Sequence, residues 1–163
     1  EEGDTVILDS GTTTLEIAKN LLKLTNLTVI TNALNVANQL AEHQNANVIV
    51  PGGFLRKNSL SLVGTTAEDS FKSYFCDKLF LAVDGFSTTH GLSTPNVEEA
   101  HLNRIMIEIS KKVIVVTDSS KFLKRSFAFI APISEVDVVV TDAGIPLEDQ
   151  KKLENMGIQV IIV

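Results

Sequence analysis

Apolar residues recur along this chain as short unbroken runs, separated by stretches with helical hydrophobic spacing. The runs are TVILD (5–9), LTVIT (27–31), ANVIVPGG (46–53), DKLFLAVDG (77–85), KVIVVTD (112–118), DVVVTD (137–142) and the closing IQVIIV, with FAFIAPI (127–133) as a further short element. The stretches between them read as helices: about Thr14 to Leu24, NALNVANQLAEH, TTAEDSFKSYF, a long one from about Pro95 to Lys111, and LEDQKKLENMG. β-Branched runs without alternation predict parallel strands covered on both faces. Right-handed crossovers then predict a three-layer α/β/α fold on a mostly parallel sheet. No repeat, low-complexity tract or linker divides the chain, so residues 1–163 are expected to form one domain.

Polar residues collect where these runs end. Asp9-Ser10-Gly11-Thr12-Thr13-Thr14 follows the first, Thr31-Asn32 the second, Gly52-Gly53 the third and Asp84-Gly85 the fourth. Asp118-Ser119-Ser120-Lys121 follows the fifth and Thr141-Asp142 a sixth. In an open parallel sheet all these points lie on the carboxyl edge, where ligands bind at the switch in strand order. The connections entering the strands, such as HQNAN and ENMG, look like ordinary solvated turns.

Thr13 and Glu16 have the spacing of a helix capping box, which accounts for those two residues. It leaves unexplained why Ser10, Thr12 and Thr14 accompany a glycine between strand and helix. Small side chains and Gly11 let an anion approach backbone N–H groups at the positive end of the helix, with hydroxyls as further donors. The turn lacks the Gly-Lys of a P-loop and the GxGxxG of a dinucleotide site, so a small phosphate ester fits better than a nucleotide.

Thr94 and Pro95 read as a helix start. Leu102, Ile105, Met106 and Ile109 make its apolar stripe, with Glu98 on that stripe and Glu99 at its margin. Glu98 is either an inward carboxylate that meets a ligand or a partner of the helix dipole. Lys121 at the sheet edge is a natural phosphate counter-ion, against the alternative of an exposed turn lysine. Arg56 and Lys57 are further cationic candidates from a mobile loop, whereas Lys124-Arg125 reads as a solvated charge run. His90 reads as an exposed loop residue, His43 and His101 as surface residues, and no histidine pair has metal-ligand spacing.

A formal net charge of −6 repels nucleic-acid phosphates, so this domain is not expected to bind DNA by itself. The single Cys76 excludes an internal disulfide, fits a reducing cytoplasm, and reads as a small buried apolar residue. The apolar runs fall far short of the roughly 20 residues that span a bilayer. With 44% hydrophobic and 21% charged residues the chain has material for one ample core. It opens on Glu1 just ahead of a strand, which suggests a domain excised from a longer protein.

Taken together, LDSGTTTLEIA, VITNALNVA, VPGGFLRKNSLSLVG, KLFLAVDGF, GLSTPNVEEAHLNR and VIVVTDSSKF resemble the effector-sensing C-terminal domain of DeoR-type bacterial transcriptional regulators. TPNVEEAHLNR and DSSKF look most like repressors of amino-sugar operons such as those for N-acetylgalactosamine. The resemblance implies a fold similar to ribose-5-phosphate isomerase, glucosamine-6-phosphate deaminase and CoA transferases. It implies a non-catalytic sensor of a phosphorylated sugar, with no cofactor. Asp9, Ser10, Gly11, Thr12, Thr13 and Thr14 would form the phosphate loop. Thr31, Asn32, Gly52, Gly53, Asp84, Gly85, Glu98 and Lys121 would line the same pocket. A DNA-binding winged helix-turn-helix would precede Glu1, and dimers or tetramers would form through an apolar patch.

On this expectation, ligand closes loops 54–64 and 85–95 and shifts the balance between two arrangements of an oligomer. An active isomerase or deaminase is the alternative, with Asp84 and Glu98 as acid–base groups and Lys121 stabilising charge. VDGFSTTHGLSTPN resembles the loop of the amino-sugar phosphate deaminases, but no His follows Gly91, and the glycine-rich run of the ribose-phosphate isomerases is missing. A purely structural oligomerisation domain would explain the core but not the polar clustering at strand ends.

Overall fold

A computed structural model describes residues 2–21, 26–42 and 45–163. The expected end of the first helix near Leu24, and the expected surface position of His43, lie outside the described residues.

The strands β1 (Thr5–Leu8), β2 (Leu27–Ile30), β3 (Ala46–Ile49), β6 (Cys76–Ala82), β9 (Ser110–Val116), β11 (Val138–Thr141) and β12 (Gln159–Ile162) form one sheet in the order β12-β11-β9-β6-β1-β2-β3. Every neighbouring pair in it is parallel. Its crossovers carry α1 (Thr12–Leu21), α2 (Leu34–Leu40), α3 (Thr65–Phe71), α4 (Val97–Glu108) and α5 (Leu147–Asn155).

Residues of the central strands alternate between two covered faces, which is why their sequences show no polar alternation. One face packs Ile7, Leu79, Leu81, Val113, Val115 and Val139 against Phe71, Leu102, Met106 and Leu153 of α3, α4 and α5. The other packs Val6, Leu8, Leu27 and Val29 against Ala18, Val36 and Leu40 of α1 and α2. Truncating a central residue such as Leu79 to Ala costs about 2–5 kcal/mol through lost transfer energy and the cavity left behind.

Two small antiparallel sheets replace the expected loops. β4 (Phe54–Arg56) and β5 (Ser61–Val63) form a hairpin, and β7 (Gly85–Ser87), β8 (Gly91–Thr94) and β10 (Ala128–Ala131) form a three-stranded sheet. These strands are too short to display a period. FAFIAPI therefore pairs with β8 and not with the parallel sheet.

At the amino edge, two carboxylates bind backbone amides. Asp77 Oδ2 accepts from Thr5 N at 3.0 Å and Asp137 Oδ2 from Val113 N at 2.7 Å. Cys76 is buried, and burial pushes its thiol up to about 11. No described helix is long and apolar enough to cross a membrane.

Candidate functional site

Strand order reverses between β1 and β6: β2 and β3 extend the sheet on one side, β9, β11 and β12 on the other. Beyond the carboxyl ends of these strands lies a hollow of about 410 Å³. This is the place where an open parallel sheet leaves a crevice.

The β1 end supplies Asp9, which is only 3% exposed. Its N–H donates to Phe80 O at 3.1 Å, and its Oδ2 accepts from Ala82 N at 3.3 Å, fastening it to β6. Burial pushes the carboxyl up to about 7, assisted by the charges of Glu99 and Asp84 and opposed by the N–H groups of Ser10 and Ala82. Ser10, Gly11, Thr12 and Thr13 continue along the wall into α1. Gly11 sits so close to β6 that a Cβ there would lie 3.0 Å from the Ala82 methyl. Among the described residues, Leu15 N is the first amide of α1 with a backbone acceptor, Gly11 O at 3.2 Å. The N–H groups ahead of it lack intrahelical acceptors, as at any helix start.

The opposite walls come from Ala82, Val83, Asp84, Thr94, Val116, Thr117, Asp118 and Lys121. Lys121 Nζ stands 3.7 Å from Asp84 Oδ1, and Thr94 Oγ1 donates to Asp84 Oδ2 at 3.2 Å. Asp118 Oδ1 accepts from Ser120 N at 2.9 Å, and hydrogen bonding from Ser120 lowers its carboxyl below the usual range. Asn35 of α2 and Asn58, Ser59 and Leu60 at the tip of the β4–β5 hairpin complete one side, with Glu99 and Asn103 of α4. Among the described residues no donor reaches the buried Asn35 Oδ1.

The structure thus brings Asp9, Ser10, Gly11, Thr12, Thr13, Asp84 and Lys121 to one hollow. The other candidates stand elsewhere. Thr14 is buried, its hydroxyl turned back to Gly11 O at 2.9 Å. Thr31 Oγ1 accepts from Ala33 N at 3.1 Å in the turn into α2, and Asn32 Nδ2 donates to Leu62 O at 3.3 Å at the junction with β5. Gly52 and Gly53 allow close packing against β5 and α3: a Cβ on Gly53, whose φ is +144°, would lie 2.7 Å from Val63 O. Gly85 is enclosed by β8 and the backbone of Lys124 and Ser126. Arg56 lies outside the lining but ion-pairs with Glu99.

Helix phase separates Glu98 from Glu99. The Asn96 side chain caps α4 by accepting from Glu99 N at 2.9 Å, so the helix begins at Val97, not at Pro95. Glu98 is exposed on that helix, whereas Glu99 and Asn103, one turn apart, line the hollow. The acid–base pair of Asp84 and Glu98 is therefore not assembled. The expected capping box is also absent: Thr13 lies inside α1, and Glu16 pairs with Lys19 at 2.6 Å. The Asn96–Glu99 spacing was a legible cap signal. Asn35, Asn58 and Ser59 carried none, because long-range packing delivers them. His90 and His101 are exposed, and the described residues contain no His/Cys/Asp/Glu cluster suited to a metal.

Comparison with known proteins matches residues 1–143 to the DeoR C terminal sensor domain. The chain is 44% identical over 163 residues to a putative aga operon transcriptional repressor of Escherichia coli O157:H7, covering all of this chain and 61% of that protein. It is 36% identical over 160 residues to the HTH-type transcriptional regulator GlpR of Haloferax volcanii, covering 98% of this chain and 62% of that one. The chain thus spans about three fifths of the length of these curated relatives. Among solved structures, it is similar to ribose 5-phosphate isomerase A from Methanocaldococcus jannaschii, with TM-score 0.53 and 15% identity over 76% of this chain and 48% of that one. It is likewise similar to eIF2B beta from Chaetomium thermophilum, with TM-score 0.50 and 18% identity over 85% of this chain and 43% of that one. These likenesses agree with the expected α/β fold.

Proposed function

The chain belongs to the DeoR C-terminal sensor domain family, and on that premise we propose that it binds a phosphorylated sugar in the hollow at the β1–β6 junction. The observation that carries this reading is the polarity of that hollow. Its lining combines the start of α1, the hydroxyls of Ser10, Thr12 and Thr13, and the Lys121 ammonium. These suit a phosphoryl group. The same lining carries acceptors and amides, namely Asp9, Asp84, Glu99, Asn35 and Asn103. These suit a body rich in hydroxyl donors. A second anionic group on the ligand would meet this carboxylate wall, so a single phosphoryl group is favoured over a polyphosphate. The volume lies within the roughly 300–1,000 Å³ usual for small-molecule sites.

The domain acts as a binding module, not as an isomerase or deaminase. Full-length relatives bear names of HTH-type regulators and repressors. In the longer protein, ligand in this domain controls operator binding by a preceding helix-turn-helix segment and works through a dimer or tetramer. An amino-sugar phosphate is the preferred ligand class, in line with the aga operon repressor among the relatives.

Calorimetric titration with fructose 6-phosphate, ribose 5-phosphate and galactosamine 6-phosphate, with inorganic phosphate as control, tests the reading. Saturable binding of a sugar phosphate, tighter than inorganic phosphate and without turnover, is the expected result. Absence of binding across the panel, or turnover of any member, overturns it.

A further inference from the structure

The hairpin of β4 and β5 is held unevenly. β5 is fastened to the end of β2, with Leu62 N donating to Asn32 O at 2.8 Å and Asn32 Nδ2 donating back to Leu62 O. The outer strand β4 has its ladder with β5 and, among the described residues, a side-chain tie to another element in the ion pair of Arg56 with Glu99 of α4. Glu99 Oε1 receives that guanidinium and also the Ser61 hydroxyl at 3.1 Å. Ser61 Oγ in turn lies 2.7 Å from Ser59 Oγ, and Arg56 Nη1 reaches Ser59 Oγ at 3.4 Å. Arg56, Ser59, Ser61 and Glu99 thus form one closed polar cluster between the hairpin and α4.

Both hairpin bonds use Oε1, and no described residue donates to Oε2. Glu99 and Ser59 belong at the same time to the lining of the hollow. The tip beside them is conformationally strained: Leu60 has φ of +52° and is 44% exposed although it lines the hollow. Left-handed backbone at a branched residue persists only where surrounding contacts hold it. On the outer side Phe54 is 71% exposed, so burial contributes little to keeping β4 down.

We propose that Glu99 is the joint that transmits occupancy of the hollow to this hairpin, with Oε1 holding Arg56 and Ser61 and Oε2 accepting a hydroxyl of the bound sugar. The inference rests on the sugar-phosphate reading above and adds its route of regulation. A donor arriving on Glu99 competes with Arg56 for the same carboxylate charge, so the latch loosens as the ligand seats. β4 and the tip then change their exposure while β5 stays anchored to β2. Occupancy is thereby displayed on the exposed apolar surface around Phe54 and Leu55. A ligand acts on such an element only through its different affinity for the two arrangements.

Amide hydrogen exchange on peptides covering 54–60 tests the joint in two arms. Without ligand, Glu99→Gln and Arg56→Met each accelerate exchange in 54–60 by about tenfold or more over the parent chain, with the central sheet unchanged. Exchange within about twofold of the parent in either variant overturns the latch. Arg56→Met leaves the α4 carboxylate in place and answers the question if Glu99→Gln does not fold. In the second arm, a sugar phosphate shown by calorimetry to bind alters exchange in 54–60 of the parent by about threefold or more, and leaves Glu99→Gln unmoved. A bound sugar phosphate that moves neither protein, or moves both alike, overturns the coupling while leaving the sensor reading intact. A panel in which nothing binds removes the sensor reading itself, and the calorimetry separates that result from the others.

Discussion

Gly11 and Ala82 stand against each other at the β1–β6 junction, so close that any Cβ on residue 11 would lie 3.0 Å from the Ala82 methyl. This contact sets the start of α1 hard against β6 and brings its first amides to the edge of the hollow. Gly11→Val is expected to push that turn outward. Overpacking of this kind costs about 1–3 kcal/mol. Sugar-phosphate affinity falls by about tenfold or more, since the amide cradle moves with the turn. Urea denaturation and calorimetry on the same variant measure the two effects.

Lys121 is the cation among the residues that line the hollow, and its pairing with Asp84 at 3.7 Å is partly solvent-exposed. Exposed pairs contribute about 0–1 kcal/mol, so Lys121→Met changes folding stability little. It weakens sugar-phosphate binding by about ten- to a hundredfold, because it removes a charge-assisted bond to the phosphoryl group. It also flattens the salt dependence of affinity, which titration at two ionic strengths reads directly.

Asp9 links stability to pH. Its carboxyl is pushed up to about 7 in the fold from an ordinary value of 3.8, chiefly by burial. The folded chain therefore holds a proton that the unfolded chain releases between about pH 4 and pH 7, and stability falls as pH rises through that window. Above it the contribution amounts to a loss of at most about 4 kcal/mol. Asp9→Asn is expected to flatten the slope and gain stability relative to the parent at pH 8, measured by denaturation from pH 5 to pH 8. A parent slope that Asp9→Asn leaves unchanged contradicts the assignment.

Gly85 marks the boundary between structure and binding. It sits in β7 with Lys124 O only 2.8 Å, and Ser126 N 2.9 Å, from where a Cβ would stand. These neighbours are backbone and cannot rotate away. Gly85→Ala is expected to destabilise the fold by about 1–3 kcal/mol. In the fraction that remains folded, sugar-phosphate affinity is retained within about threefold. Thermal unfolding and calorimetry together decide between a folding role and a ligand role.

Neighbouring glutamates on α4 provide an internal control. Glu98 is exposed, while Glu99 lines the hollow and holds Arg56. Glu98→Gln leaves sugar-phosphate affinity within about twofold, whereas Glu99→Gln lowers it by about fivefold or more. Equal effects from the two would contradict the observed helix phase.

Much of the layout was legible along the chain. Unalternating runs such as VIVVTD and DVVVTD identified parallel strands, and polar residues after them pointed to one edge of the sheet. Asp9 through Thr13, Asp84 and Lys121 do meet there. Several of the candidates that stand outside the hollow share a physical cause. Thr14, Thr31, Asn32, Gly53 and Gly85 have residue types that serve a turn or a close approach as well as they serve an anion. Sequence spacing cannot tell whether a hydroxyl turns outward or back to its own carbonyl, as Thr14 does to Gly11 O at 2.9 Å.

Periodicity and strand-end chemistry, both local properties of the chain, determined the α/β class and the edge at which a small anion could be received. Tertiary packing alone decided which side chains share the hollow. It delivered Asn58 and Ser59 by a hairpin whose strands are too short to show a period, and it packed α4 so that Glu99 and not Glu98 lines the hollow. One residue of helix phase rotates a side chain by roughly 100°, and neither composition nor hydrophobic pattern resolves so small a shift.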